Sequence, residues 1–388
     1  MKSLLKIPLL VAVATMMTCS FSACSDNDDP TPDTGTSETD AKFEAIAKQY
    51  LDHTVYVTYK NLADETEQLV KDLQALKSSK TDANVKATCE TFLEARAWWE
   101  KSEAFLYGAA TDFGIDPHID SWPLDLDGLQ TALKNTEQVE AMGGEDGDIY
   151  AGEKLGNSLL GFHGIEYILF EDGSPKSVSK ISDLHLTYAV AVAGDLRNRC
   201  WQLELSWRGE SAVAKVANEL ELPYTVNSGE YSYGENMLNA GKAGSTYASW
   251  TLAMQAIIDG CKTIADEVGT SKIGKPYSGE DPAYIESPYS HKSILDFYDN
   301  IISIQNAYMG GIENERDETN SLHNYIAGVD KELDTKVVNA INNALTKINA
   351  MAAPFVNNIK DPSAGEAIKA CQDLDAILSD VKTALRNN

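Results

Sequence analysis

Positive charge is scarce in this chain: 32 Lys and Arg stand against 59 Asp and Glu, a net charge of −27 over 388 residues. That balance argues against nucleic acid as a partner, because phosphate recognition needs basic patches. It is compatible with a cationic ligand, but acidity alone means a well-solvated surface. Six cysteines occur, none as Cys-x-x-Cys, so no zinc ribbon or redox dithiol is in prospect. Cys89, Cys200, Cys261 and Cys371 each sit in an apolar helical pattern and read as buried free thiols rather than bridges. There are six histidines but no His-Glu-x-x-His, so the zincin ligand set is missing. Gly-x-Ser-x-Gly, a Walker loop and a dinucleotide fingerprint are absent as well. The loop Met142-Gly143-Gly144-Glu145-Asp146-Gly147 has too few alternating oxygen donors for an EF-hand. Alternating strands and sequence repeats are not evident, and past Cys24 no run is apolar enough to span a membrane.

What the chain has in abundance is helical periodicity. Apolar residues at i, i+3 and i+4 predict helices at about 41–76, 84–107, 152–170, 182–207, 246–268, 294–308, 331–351 and 365–385. Residues 209–244 are Gly- and Tyr-rich and read as a short helix near 212–220 followed by a long loop. The expected fold class is therefore all-α. It comprises two four-helix-bundle-like domains, 41–208 and 209–388, with a site at their interface.

The N-terminus reads differently. Lys2 and Lys6 precede an apolar run from Ile7 to Met17, too short to span a bilayer, and Phe21-Ser22-Ala23-Cys24 follows. This resembles a bacterial lipoprotein signal, residues 1–23, cleaved before a lipidated Cys24, with Phe21 where Leu is usual. Residues 24–40 are acidic and rich in Thr, Pro and Ser, which predicts a disordered tether. Ser25-Asp26-Asn27-Asp28-Asp29 resembles an acidic export signal of surface lipoproteins. The expected location is the cell envelope, lipid-anchored, on the periplasmic face or the outer-membrane surface.

The stretch that carries chemistry is Gly161-Phe162-His163-Gly164-Ile165-Glu166. On a helix, His163 and Glu166 share a face, and an imidazole with a carboxylate can hold one cation. Two glycines in one helical turn weaken it, which suggests that a backbone or a ligand approaches closely. Upstream, Arg96, Glu100 and Glu103 fall at i, i+4 and i+7 in an unusually apolar segment with Trp98, Trp99 and Phe105. Asp125, after Ser121-Trp122-Pro123-Leu124, can cap the next helix or reach a cation from its fixed start. Glu286-Ser287-Pro288-Tyr289-Ser290 precedes a helix that Ser290 is expected to cap, with Asp296 and Asn300 beyond. His291 and His323 lie in polar, loop-like stretches.

Gly-x-His-x-x-Glu, the Arg-x-x-aromatic-x-x-x-Glu-x-Phe segment, Trp-Pro-Leu-Asp and Glu-Ser-x-Tyr-Ser together resemble the imelysin-like family, also catalogued as M75 peptidases. The resemblance covers most of the chain after the tether. It implies a metal set of His163, Glu166, Glu103, Asp125 and Glu100, with Glu103 ahead of Glu100. It also implies binding roles for Gly161, Arg96, Glu286, Ser287 and Tyr289. One imidazole among carboxylates suits iron, with Mn or Zn as alternatives, and the lack of thiolates disfavours Cu(I). The second His of a carboxylate di-iron protein is not evident, so oxygen chemistry is not expected. Three readings follow. The first is an envelope protein that binds a metal cation or an iron-bearing ligand for iron uptake, alongside an outer-membrane transport protein. The second is a metallopeptidase in which Glu166 or Glu103 is the general base. The third is a cell-surface interaction protein with a degenerate site.

Overall fold

The helical period is realised almost throughout the computed structural model, which describes residues 37–213 and 222–387. The signal segment 1–23, Cys24, most of the tether and all but the first two residues of the helix expected at 212–220 lie outside the described residues. The protein is all-α. Among the described residues the strands are a two-residue antiparallel pair, Phe170 opposite Pro175.

Helix α1 (Glu38–Tyr50) starts where Ser37 Oγ accepts from the Asp40 amide at 3.0 Å, so the last tether residues already belong to the fold. A π turn, Leu51–Val55, carries it without a break into α2 (Tyr56–Ser78). Thr81 caps α3 (Asp82–Glu100), and Asp125 caps the short α4 (Leu126–Lys134). Next come α5 (Gly161–Leu169), which carries His163 and Glu166, and the long α6 (Asp183–Arg208). In the second half, α7 (Trp250–Glu267) runs into another π turn, Val268–Lys272. It is followed by α8 (Ser293–Met309), α9 (Lys331–Asn349) and α10 (Pro362–Asn387).

Helices α2, α3 and α6 pack together, as do α7, α8, α9 and α10. Contacts also cross between the two groups. Helix α1 lies against α7, and α3 lies against α8. One apolar core runs from Phe43 to Leu385. The buried face of α3 explains the site's position: Val85, Cys89, Phe92 and Trp99 recur at helical spacing, and Arg96 and Glu100 lie on the same face. The charged stripe is thus inside the protein, facing α8.

Several boundaries differ from expectation. The helix expected to reach residue 107 ends at Glu100, and Glu103–Phe105 is a 3-10 turn after Ser102 Oγ donates to the Trp99 carbonyl at 2.7 Å. The helix expected at 152–170 is three pieces, so the signature opens a helix rather than lying inside one. The 209–244 stretch contains a helix, Tyr233–Leu238, started by a reciprocal Ser232–Glu235 capping box. His323 is on a helix, Leu322–Val329, with its Nδ1 2.7 Å from Asp334 Oδ1. The four described cysteines are buried and free.

Phe92 couples α3 to the site, its ring 5.6 Å from Phe162 and 5.5 Å from Phe170. Phe92→Ala should lose about 3–5 kcal/mol in urea unfolding. Leu252→Ala, on the exposed side of α7, should stay within about 0.5 kcal/mol of the parent.

Candidate cation site

The site begins with two close approaches. Gly161 has φ +66°, and a Cβ there would collide with the Ile119 carbonyl. The chain entering Asp120 therefore lies directly on the start of α5. At Gly164 a Cβ would collide with the Tyr188 hydroxyl, which donates to the Leu159 carbonyl at 2.5 Å. Both glycines of the stretch make room for the protein's own groups, and Gly161 does so for the segment that carries Asp120.

The first approach brings Asp120 to His163, whose Nε2 is 2.7 Å from Asp120 Oδ1. Arg96 donates to the same oxygen, and Trp99 Nε1 donates to Oδ2 at 2.8 Å. Burial opposes ionisation of Asp120, but Arg96 and His163 overcome it and hold the carboxyl well below its usual range. An ionised Asp120 accepts only, so His163 Nε2 carries a hydrogen and Nδ1 is left for another partner. Burial disfavours the imidazolium, yet the hydrogen bond to Asp120 and the nearby Glu166 carboxylate prevail and raise it to about 9.

Glu166 is fixed from the second half of the chain. Its Oε1 accepts from the Tyr289 amide at 3.1 Å, the Ser290 amide at 2.7 Å and Ser290 Oγ at 2.7 Å. Ser290 therefore does not cap α8, whose N-cap is Lys292; its hydroxyl holds the carboxylate instead. Glu166 Oε2 is buried without a donor, 3.9 Å from His163 Nδ1. His163, Trp122, Pro288 and Tyr289 line a cavity of about 130 Å³.

Arg96 links this pair to a deeper group of acids. Its Nη2 is 2.5 Å from Glu100 Oε1 and 2.7 Å from Glu286 Oε1. Glu100, Asp120 and Glu286 each bring an oxygen within 4.8 Å of the other two, and the guanidinium touches all three. Asn300 Nδ2 donates to Glu100 Oε2 at 2.5 Å, and Ser287 lies against Asp296. Burial pushes Glu286 up to about 7, against the pull of Lys272. It also pushes Asp296 well above the carboxylate range, against Arg96.

Two members of this group were not singled out from the sequence. One is Asp120, the acid before Ser-Trp-Pro rather than the one after it. The other is Lys272, fully buried in the π turn after α7. Its Nζ lies 3.1 Å from Glu286 Oε1, 3.4 Å from Glu103 Oε1, 3.6 Å from Glu100 Oε2 and 5.2 Å from the Trp122 ring centre. A signal existed: residue 272 continues the stripe Cys261, Ala265, Val268 at helical spacing, and a lysine in register with an apolar stripe is unusual.

Of the expected metal set, His163 and Glu166 come together, and Glu100 and Glu103 meet around Lys272. Asp125 does not join them; it is exposed and its Oδ1 accepts the Gly128 amide at 2.9 Å, the plain capping role. Glu103 is buried beside Lys272, with burial raising its carboxyl and Lys272 opposing. The expected binding residues Arg96, Glu286, Ser287 and Tyr289 all border the cluster.

The imelysin (peptidase M75) family model matches residues 55–381. The chain belongs to the imelysin family. Iron-regulated protein A of Synechococcus elongatus is 26% identical over 332 residues, spanning 85% of this chain and 82% of that protein. A crystal structure from Parabacteroides distasonis, named as a candidate iron-regulated protein A precursor, is 27% identical with a TM-score of 0.77. It covers 91% of this chain and 97% of its own. An imelysin-like protein from Psychrobacter arcticum has a TM-score of 0.60 at 12% identity, covering 87% of this chain and 93% of that one, and shares the fold.

Does a cation fit this imelysin? The Glu100–Asp120–Glu286 triad is already clasped by Arg96, so it is a poor first choice. His163 Nδ1 and Glu166 Oε2 are better: both face away from their orienting partners, and metal bonds of about 2.0–2.2 Å let one ion touch both. The Asp120 carboxylate on Nε2 is the arrangement that orients a metal-binding imidazole.

Gly161→Ala should destabilise by more than about 2 kcal/mol, combining left-handed strain with the clash at Ile119. Gly156→Ala, at φ −73° in open space, should be neutral or stabilising by up to about 1 kcal/mol. Chemical denaturation reads both. Arg96→Met should lose about 3–5 kcal/mol, because it strands buried carboxylates, and Arg96→Lys should not restore it, since an ammonium lacks the fork that spans three acids.

Proposed function

We propose that this imelysin binds a metal cation or a small iron-bearing ligand at His163 and Glu166, and that it serves iron uptake at the cell envelope. The observation that carries the reading is the pair of atoms left open: His163 Nδ1, with its tautomer set by Asp120, and the donorless Glu166 Oε2 at 3.9 Å. A bound cation would supply the positive charge that Nδ1 otherwise draws from a proton. Arg96 and Trp99 hold Asp120, Asp120 holds the imidazole, and the Tyr289–Ser290 amides hold Glu166. The ligands are therefore aimed before any ion arrives. One imidazole and one carboxylate, completed by water or ligand oxygens, suit Fe, Mn or Zn.

The cavity beside His163, about 130 Å³, suits a hydrated ion or a compact chelate. Pockets that enclose larger molecules run to several hundred Å³. The peptidase alternative is less well served. It needs a carboxylate to take a proton from water, whereas the one open oxygen, Glu166 Oε2, is the atom the cation itself would occupy, and Glu103 is paired with Lys272.

The relatives' names, iron-regulated protein A, support the iron reading. The lipoprotein-like segment before and including Cys24 supports anchoring by lipid, periplasmic or at the outer-membrane surface, near an outer-membrane transport protein. The two halves, 41–208 and 209–388, act as the two walls of the site: α5 supplies His163 and Glu166, and the 286–290 loop supplies the donors that fix Glu166.

Calorimetric titration of the metal-stripped protein with Mn(II), and with Fe(II) under anaerobic conditions, should show binding that His163→Ala removes. Asp120→Asn should weaken it about 10–100-fold. Equal binding by the parent and His163→Ala would overturn the assignment, and expression that ignores iron limitation would remove the uptake role.

A further inference from the structure

A cleft of about 410 Å³ opens between α7 and the segment 103–116, and neither His163 nor Glu166 borders it. It is large enough to enclose a small molecule. Its floor is made by a close approach. A Cβ at Gly260, on α7, would collide with the Ala104 carbonyl and crowd the Tyr107 ring, so the 104–107 backbone lies directly on the helix. Leu106, Ala256 and Ile264 give the cleft an apolar wall, and Thr111 and Thr263 are its exposed, solvent-side residues.

Four acids border this cleft, Glu103, Asp116, Asp259 and Glu267, and among the described residues no Lys or Arg does. Asp259 is answered by Lys382 at 2.6 Å. Among the described residues no ion pair or hydrogen bond reaches the carboxylates of Asp116 or Glu267. Burial, with Asp120 and Glu267 adding to it, pushes Asp116 up to about 7 against the pull of Lys272. Glu103 is the acid that points to a ligand. It is 8% exposed, and its Oε1 is turned to the fully buried Lys272 at 3.4 Å, which leaves Oε2 without a donor on the cleft side. Polar atoms so deeply placed in a native protein are almost always satisfied.

Spacing decides what kind of cation the cleft suits. Oxygens that share one metal ion must crowd together, and among the described residues the acids that do so are Glu100, Asp120 and Glu286, none of which borders the cleft. Glu103 is deep, Asp116 and Glu267 are half-buried, and apolar side chains line the space with them. Charges joined by methylenes match that lining, because each ammonium meets a carboxylate while the chain between them rests on apolar surface. We propose that this cleft binds an elongated organic cation of the di- or polyamine class, with one ammonium at Glu103 and a second at Asp116 and Glu267. The proposal does not depend on the His163 assignment.

The test is calorimetric titration of the purified full chain with spermidine, with butylamine and Mg(II) as single-headed and compact cations for comparison. Spermidine should bind at one equivalent and more tightly than either. Glu267→Gln should weaken it about tenfold, the worth of one charge-assisted hydrogen bond. Thr263→Lys, an exposed position on the cleft that leaves all four acids in place, should abolish binding by supplying a tethered ammonium. Glu137→Gln, which removes an exposed acid outside the cleft, and His163→Ala should leave spermidine binding unchanged. Should Glu267→Gln fail to fold, Thr263→Lys decides alone. The absence of saturable spermidine binding overturns the proposal. So does equal weakening by Glu137→Gln and Glu267→Gln, or binding no tighter than that of Mg(II), since either marks attraction to an acidic surface rather than a cleft.

Discussion

The Arg96 guanidinium is the interaction on which the rest of the site depends. It is buried to within 2% and bonds to acids from three parts of the chain: Glu100 on its own helix, Asp120 from the segment before Trp122, and Glu286 from the second half. A planar fork with five donors can serve three carboxylates at once, and its charge is permanent. Without it, Asp120 would lose the main partner that keeps it ionised, and the tautomer of His163 would no longer be fixed. Its face also rests on Phe162, 5.2 Å from the ring centre, so the same group is packed by the residue next to the histidine.

The backbone had to be shaped for this. Gly161 admits the Ile119 carbonyl and Gly164 admits the Tyr188 hydroxyl, and both contacts press the 118–120 segment and α6 onto the first turn of α5. The two glycines flanking His163 are thus conformational, and Gly161 sets where Asp120 can be. The π turn at Val268–Lys272 plays a comparable part on the other wall, delivering an ammonium into a group of acids where a longer regular helix would end in solvent or loop.

Much of this was legible in the residues. All-α periodicity gave most long helices within a few residues, because apolar faces such as that of α3 repeat over several turns. The pairing of His163 with Glu166 follows from their i, i+3 spacing, and Arg96 and Glu100 declared themselves by standing among tryptophans. What was not legible depends on contacts distant in sequence. Asp125 carries the stronger local signal, a helix start after proline, yet it is only a cap; Asp120 matters because Gly161 lets its backbone approach, which no local pattern encodes. Ser290 looked like a cap for α8 and instead holds Glu166, 124 residues away. Lys272 was hidden because Gly269 suggests a helix end, while the π turn carries the buried stripe past it. Glu103 fell off the expected stripe because α3 stops at Glu100.

Stability does not explain why such a cluster exists. Burying an ion pair costs desolvation that its attraction recovers only with good geometry, and apolar residues of similar volume often serve the fold as well or better. Here six buried acids, Glu100, Glu103, Asp120, Glu166, Glu286 and Asp296, face three cations, Arg96, Lys272 and protonated His163, so part of the group works against folding unless protons or ions make up the difference. Burial that raises Glu286, Glu103 and Asp296 is the direct expression of that conflict. A neutral core between α3 and α8 would need none of these groups, and Phe92 and Trp99 on α3 and Phe297 and Ile301 on α8 are already part of the apolar core. An arrangement that is unfavourable when empty and favourable when charge-balanced would be stabilised by the proposed cation, in proportion to the logarithm of that ion's concentration over its dissociation constant. If the proposed cation binds, the excess of carboxylates is the source of its affinity, and the rigidity imposed by Arg96, the Tyr289–Ser290 amides and the two glycines holds those carboxylates in place.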